Sequence, residues 1–253
     1  MPYLNRDGVN IYYEERGTGP AVLLSHGYSA SARMWSGQMT ALSDRYHIIA
    51  WDMRGHDRSD SPDDAALYSH ETTVADMAAI LDACGAERAV IGGLSLGGFM
   101  TLAFNLAHPE RVAALMLFDC GPGYKKDAPR EEWNKMASTM ASALERKGLA
   151  AMGAGAEVVI SHHRSAQGLA HAARGMLQQS DGRVIESLPS IKAPTLVLAG
   201  AKDVQFLAAT DYMATKIPGA EKVIIEGAGH AANIDQPKAF NEAVRRFLDR
   251  VTK

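Results

Sequence analysis

Cysteine is almost absent from this chain: Cys84 and Cys120 are the only two among 253 residues. Two thiols cannot build a disulfide framework, and no C-x-x-C pair is present for zinc or redox chemistry. The chain reads as a reduced, cytoplasmic protein. Nor is there a surplus of positive charge, with 26 Lys and Arg against 29 Asp and Glu and a formal net charge of −3. That balance gives no electrostatic footing for nucleic acid or an anionic membrane. No window approaches the ~18 continuous apolar residues of a membrane helix. The opening Met1-Pro2-Tyr3-Leu4-Asn5-Arg6 lacks the apolar stretch of a secretion signal. The pair His162-His163 has no partners at metal-ligand spacing, and His171 stands too far along to join it, so no metal site is expected.

What is present is ample apolar mass: 47% of residues are hydrophobic and 22% charged, enough to offset the entropy of ordering one large domain. The apolar residues come in short runs. Ala21–Leu24, His47–Trp51, Arg88–Gly92, Ala113–Phe118, Thr195–Ala199 and Lys222–Ile225 each read as strands buried on both faces. Val9–Tyr13 alternates and reads as an edge strand or hairpin arm. Helical stripes lie between the runs: Val74, Met77, Ile80 and Leu81; Leu96, Phe99, Met100, Leu102, Ala103 and Leu106; and Phe240, Val244 and Phe247. Strands alternating with helices predict an α/β fold with a mostly parallel central sheet and helices on both faces. Residues 121–188 break the alternation. They carry no strand run, while Trp133, Met136, Met140, Leu144, Leu149, Met152, Met176 and Leu177 recur at helical spacing. They read as a helical insert in a core made of residues 1–120 and 189–253.

Chemistry concentrates in Gly93-Leu94-Ser95-Leu96-Gly97, a G-x-S-x-G pentapeptide between a strand run and a helical stripe. A sharp strand-to-helix turn there lifts a serine hydroxyl above the sheet edge, at the positive end of a helix. A serine hydroxyl is a weak nucleophile and needs a base, which needs an acid to orient it. His230, in Glu226-Gly227-Ala228-Gly229-His230, follows the last strand run and is the candidate base. Asp203, just past the Thr195–Ala199 run, is the candidate acid; Asp119, ending the preceding run, is the alternative. Backbone N–H groups of Leu96 and of Tyr28, in Ser25-His26-Gly27-Tyr28, are candidates for an oxyanion hole. His26 reads as structural, its ring bonded to backbone. Trp35, Phe99 and Trp133, with Tyr28, are candidate walls of an apolar pocket.

These residues together resemble the α/β-hydrolase fold superfamily across nearly the whole chain outside the insert. Asp52-Met53-Arg54-Gly55-His56-Asp57-Arg58-Ser59 is similar to the D-x-R-G-x-G-x-S segment of that family, departing from it at Asp57, where glycine is usual. Arg33-Met34-Trp35 and Asn233-Ile234-Asp235-Gln236-Pro237 are most similar to small bacterial esterases and the 3-oxoadipate enol-lactonase group. The resemblance implies that Ser95 is nucleophile, Asp203 acid, His230 base, and Tyr28 and Leu96 the oxyanion-hole residues, with the insert as a short cap. It implies hydrolysis of small esters or lactones of apolar character through an acyl-enzyme, without cofactor. It gives Asp52, Arg54 and Ser59 a structural hydrogen-bond network. Serine at position 95 separates the chain from dehalogenase and epoxide hydrolase relatives, which carry aspartate there. Two other readings stay open. One is a C–C bond hydrolase of a vinylogous diketone, for which an insert arginine (Arg130, Arg146, Arg164 or Arg174) would grip a carboxylate. The other is a non-catalytic ligand-binding member of the fold.

Overall fold

The computed structural model describes residues 3–252. The chain opens with a hairpin of β1 (Tyr3–Arg6) and β2 (Val9–Arg16). Asp7 and Gly8 between them have φ of +53° and +88°, the paired left-handed conformation that suits a two-residue hairpin. β1 was not predicted, because its four residues alternate between exposed and half-buried and offer little apolar signal. There follow β3 (Ala21–Ser25), α1 (Ser36–Leu42), β4 (His47–Trp51), α2 (His70–Ala83), β5 (Ala89–Leu94), α3 (Leu96–Ala107) and β6 (Val112–Phe118). Four helices come next: α4 (Asp127–Lys147), α5 (Ala156–Val159), α6 (Ala166–Ala172), which runs into a π turn at Ala173–Leu177, and α7 (Arg183–Ser187). The chain ends with β7 (Thr195–Gly200), α8 (Val204–Lys216), β8 (Glu221–Ile225), α9 (Ala232–Asp235) and α10 (Pro237–Val251).

The eight strands form one sheet in the order β1-β2-β4-β3-β5-β6-β7-β8. β1 and β2 are antiparallel, and every pair from β4 to β8 is parallel. The strand order reverses between β3 and β5. In an open α/β sheet, the crevice beyond the carboxyl ends at such a switch point is where ligands bind. The loop Ser25–Tyr28 and the turn at Ser95 both emerge there.

Side chains along each strand alternate between two cores. Leu23, Ile49, Ile91, Leu115 and Val197 pack under α2, α3 and α8 on one face. Val22, Leu24, Ile48, Val90, Met116 and Leu198 pack under α1 and α10 on the other. β5 and β7 are buried along their whole length, which is why their sequences are continuous apolar runs. Helix starts are set locally: the Ser69 hydroxyl accepts from the Thr72 N–H (3.0 Å) and begins α2, and Ser165 does the same for α6 through Gly168 (2.9 Å). Between β6 and β7 every regular element is helical. These helices share a small core of Ala141, Leu144, Leu169, Ala170 and Ala173, while Ala137, Ala172, Met176 and Leu177 continue the main one. Among the described residues, no helix is long and apolar enough to cross a membrane.

Trp35 is a correction. Expected on a pocket wall, it is fully buried in the α1/α10 core, its ring 5.9 Å from Phe118 and 6.4 Å from Phe240. It belongs to a four-residue turn, Ala32–Trp35, too short for periodicity to reveal which way a side chain faces. Truncation of a buried aromatic of this size costs about 3–5 kcal/mol through lost burial and the cavity left behind. Trp35→Ala is expected to lower unfolding free energy by that amount in urea titration, with Trp35→Phe losing much less. A loss under about 1 kcal/mol for Trp35→Ala would remove Trp35 from the load of the core.

Candidate active site

Ser95 stands at the N-cap of α3 with φ +56° and ψ −115°, and its side chain makes no cap bond. A non-glycine residue there is strained, and the surroundings hold it in place. The Ser95 N–H donates to the Phe118 carbonyl at 3.0 Å. A Cβ at Gly93 would lie 2.3 Å from the Gly97 carbonyl carbon, and one at Gly97 would lie 2.2 Å from the Ser25 carbonyl oxygen. The flanking glycines are therefore required by contact between the turn, its own helix and the end of β3. Gly27 passes directly over the serine, the site of its absent Cβ lying 3.4 Å from the Ser95 Cβ. This brings the Ser25–Tyr28 backbone to the same place as the first N–H groups of α3, including that of Leu96.

His230 lies between β8 and α9. Its Nδ1 is 2.7 Å from Asp203 Oδ2. Burial pushes the imidazole towards its neutral form, but the Asp203 carboxylate outweighs this and lifts the His230 pKa above its ordinary value. The loop is held by the Gly229 N–H donating to Asp235 Oδ2 at 2.7 Å. Gly200 admits it to the end of β7: a Cβ there would stand 2.2 Å from the Gly229 carbonyl oxygen. Asp119, the alternative acid, makes no bond to His230. It is fully buried at the end of β6, φ +45°, and its Oδ1 accepts from the Gly200 N–H at 2.7 Å. Cys120 beside it packs against Gly98, and burial raises its thiol well above the ordinary range, which makes it inert.

The D-x-R-G segment braces these loops. Asp52 accepts from the Ala32 N–H (2.7 Å) and from Arg58 Nε (2.8 Å), and the Ser59 hydroxyl donates to the Asp52 carbonyl. Arg54 forms a two-pronged pair with buried Asp76 at 2.6 and 2.9 Å. The His26 ring lies between the Gly27 carbonyl (2.7 Å) and the Met53 N–H (2.9 Å), bonded to backbone at both nitrogens. Asp57 has φ +38°, a backbone setting that explains the glycine usual there. Its carboxylate accepts from Arg33 Nε (2.8 Å) and the His162 N–H (3.1 Å), and its own N–H donates to His163 Nδ1 (3.0 Å). His163 Nε2 meets the Ser29 carbonyl at 2.8 Å. The pair His162-His163 thus ties the helical segment to the loop beside Gly27. Among the described residues, no group of three or more His, Cys, Asp or Glu is disposed to hold a metal.

Ser95 opens into a cavity of about 100 Å³ lined mainly by Leu96, Phe99, Tyr124, Trp133, Leu177, Phe206 and Ala209, with Gln179 and Gln205 as its polar groups. Phe206 lines this cavity and stacks on the His230 ring (5.2 Å, 24°), placing the imidazole beside it. Phe99 and Trp133 are in the wall. Tyr28 is not: its side chain turns to the helical segment, where the hydroxyl donates to the Leu169 carbonyl at 2.9 Å, and it lines a separate cleft with Met140 and Met152. The polarity of the Tyr28 tip, which seeks an acceptor when buried, draws it there. Sequence reasoning missed Phe206, Gln179 and Tyr124. Phe206 had a signal, one turn after Asp203 on α8. Gln179 had none, because a π turn and a loop bring it to Tyr124, whose N–H donates to its Oε1 at 3.2 Å. The wall is stapled to α4: Trp133 Nε1 donates to the Leu177 carbonyl (2.7 Å), and the Gln179 N–H donates to Asn134 (2.8 Å).

Comparison with known proteins agrees with this architecture. 3-Oxoadipate enol-lactonase 1 of Acinetobacter baylyi is 29% identical, over 96% of this chain and 95% of its own. A Bacillus subtilis protein named as a candidate 2-succinyl-6-hydroxy-2,4-cyclohexadiene-1-carboxylate synthase is also 29% identical, over 96% of each chain. The structure of a thermophilic esterase from Thermogutta terrifontis superposes with a TM-score of 0.85 at 28% identity, covering 100% of this chain and 98% of that one. The model of the alpha/beta hydrolase family matches residues 22–243, so the chain belongs to that family.

Proposed function

We propose that this protein is a serine hydrolase of small carboxylic esters or lactones, acting through Ser95, His230 and Asp203. The observation that carries this reading is the 2.7 Å Asp203–His230 contact beside a cavity entered by a strained, uncapped serine. His230 takes the Ser95 proton as the hydroxyl oxygen attacks the carbonyl carbon, and the imidazolium is stabilised by Asp203. The oxyanion develops against the N–H groups of Leu96 and Tyr28, at the N-terminus of α3. His230 then gives its proton to the leaving alkoxide. Water, deprotonated by the same ring, attacks the acyl-enzyme, and the acid departs. The helices of residues 121–188 serve as the cap, supplying Trp133, Leu177 and Gln179 to the acyl pocket.

The small, mostly apolar cavity suits short acyl groups. The names of the relatives, an enol-lactonase and an esterase, fit the same chemistry. The arrangement of the insert arginines favours it over a C–C hydrolase. Arg164 donates to the Asp57 and Arg58 carbonyls, Arg174 pairs with Glu145, Arg130 donates to the Tyr124 carbonyl and pairs with Asp127, and Arg146 is exposed. None of these lines the Ser95 cavity to grip a substrate carboxylate.

Ser95→Ala is expected to reduce kcat/KM on p-nitrophenyl acetate, p-nitrophenyl butyrate and γ-lactones by at least about 10³-fold, with the fold retained by circular dichroism. Folded wild-type protein that turns over none of the panel would sink the ester reading. Because Asp203 raises the His230 pKa, the acid limb of the kcat/KM profile is expected to have its midpoint above 6.5, the ordinary imidazole value. Asp203→Asn is expected to move that midpoint down as well as slow the reaction; an unmoved midpoint would exclude His230 as the titrating base. Phe99 also borders a neighbouring cleft of about 410 Å³, with Val74, Ala103 and Leu106. Phe99→Ala is expected to join the two spaces and shift the preferred p-nitrophenyl ester from acetate or butyrate towards octanoate. An unchanged chain-length profile would show that Phe99 does not limit the acyl pocket.

A further inference from the structure

Two aspartates, not one, meet beneath His230. Asp119 ends β6 and Asp203 follows β7, neighbouring strands of the sheet. Asp119 is fully buried, and Asp203 is 8% exposed. The two acids meet on one turn: Asp119 Oδ1 accepts from the Gly200 N–H, and the Asp203 N–H donates to the Gly200 carbonyl at 3.1 Å. The two Asp119 oxygens are not alike: Oδ1 takes the Gly200 N–H at 2.7 Å, while Oδ2 is buried with no donor from any described group. Two ionised carboxylates cannot share a buried site side by side, and a buried oxygen left without a partner is costly. A single proton on Oδ2 removes both costs, because it cancels one charge and turns the orphan acceptor into a donor.

We propose that Asp119 is held protonated at neutral pH and donates a hydrogen bond from Oδ2 to the Asp203 carboxylate, acting as a positioning residue for the Asp203–His230 pair. The bond gives the Asp203 carboxylate a second partner besides the imidazole. His230 is then aligned by a carboxylate that is itself anchored to β6. The backbone supports this placement. Asp119 sits at φ +45°, and its N–H donates to the Leu198 carbonyl at 2.9 Å, so the side chain turns towards the end of β7. The groups that set its ionisation come from each neighbouring loop. Burial is the largest influence and raises its pKa, the Gly200 N–H and His230 lower it, and Asp203 raises it, for a value of about 8. Cys120, next along the chain, stays a neutral thiol, and Glu157 on α5 acts on His230 with the same sign as Asp203.

The inference deepens the hydrolase reading and rests on it for its catalytic part; the proton itself is measurable without a substrate. The test uses Asp119→Asn and Asp119→Ala in the full chain. An asparagine amide can still accept from Gly200 and donate to Asp203, and it has no proton to lose. Asp119→Asn is therefore expected to stay within about 3-fold of wild-type kcat/KM at pH 7, whereas Asp119→Ala loses about 10-fold or more. Wild type is expected to show an alkaline loss with a midpoint near 8, absent from Asp119→Asn. The sign of the stability effect is fixed. The folded state keeps a proton that the unfolded chain releases near the ordinary aspartate value, so wild-type stability declines between about pH 4 and the folded value of about 8. The melting temperature of Asp119→Asn minus that of wild type should therefore rise by about 4 °C or more from pH 5 to pH 8 and level off above. A flat difference would overturn the protonated state, whether or not any ester is turned over. Loss of about 100-fold or more in folded Asp119→Asn at pH 7 would overturn the positioning role and make Asp119 an ionised acid.

Discussion

The close approach of three backbones at the carboxyl edge of the sheet is the constraint on which the site depends. The turn at Ser95, the end of β3 and the first turn of α3 meet with no room for a Cβ at Gly93 or Gly97. That contact forces Ser95 into the left-handed region, where its side chain no longer caps α3 and points instead into the cavity. The strain of such a residue, of order 1–3 kcal/mol, is tolerated only where the surroundings over-determine it. Here the bond from Ser95 N–H to Phe118 and the overlying Gly27 loop do so. The same contact brings the backbone after β3 to the helix start, so a raised serine hydroxyl and clustered N–H groups come from one piece of packing.

Charge is organised around that point with few water-exposed partners. Asp52 and Asp76 are fully buried, and each is neutralised by an arginine or by backbone N–H groups. Removing one partner from such a pair typically costs 3–5 kcal/mol, because the other charge is left buried alone. Among the described residues, the acids beneath His230 have no arginine partner. Asp203 pairs with the imidazole, so its negative charge is expressed on His230. A structural pair would silence the charge; this arrangement leaves it to raise the His230 pKa.

How much of this could be read from the chain follows from how local each signal is. The buried strands were legible because burial on both faces writes itself as a continuous apolar run, and β4 appears at the bounds read from its residues. The Ser95 turn was legible because its pattern is local, a serine between glycines at the junction of a strand run and a helical stripe, although Gly97 answers to the distant end of β3. The choice of Asp203 over Asp119 was less so. Both end adjacent parallel strands, and only the three-dimensional path of the β8–α9 loop puts His230 on Asp203. Trp35 was misjudged because one turn of helix carries no periodicity, and Tyr28 because the direction of its ring is decided by an acceptor, Leu169, supplied by α6. Gln179 was invisible for the same reason: its neighbours come from distant chain.

Asp57 shows how a departure from a pattern can be absorbed. Glycine would occupy φ +38° without strain, and a carboxylate there gains nothing from its own backbone. It gains from the helical segment, where it accepts from the His162 N–H, and from Arg33 on the turn after the Gly27 loop, while the Asp57 N–H donates to His163 Nδ1. Arg164 adds a bond to the Asp57 carbonyl at 2.9 Å. Three contacts to Asp57, with the bond from His163 Nε2 to the Ser29 carbonyl, fasten the segment 162–164 to the loops of the core. A segment fastened at that end, and stapled to α4 through Trp133 and Asn134 at the other, cannot swing away from Ser95 without breaking several hydrogen bonds. A small cavity with fixed walls is the consequence, its shape set by side chains such as Phe99 and Leu177.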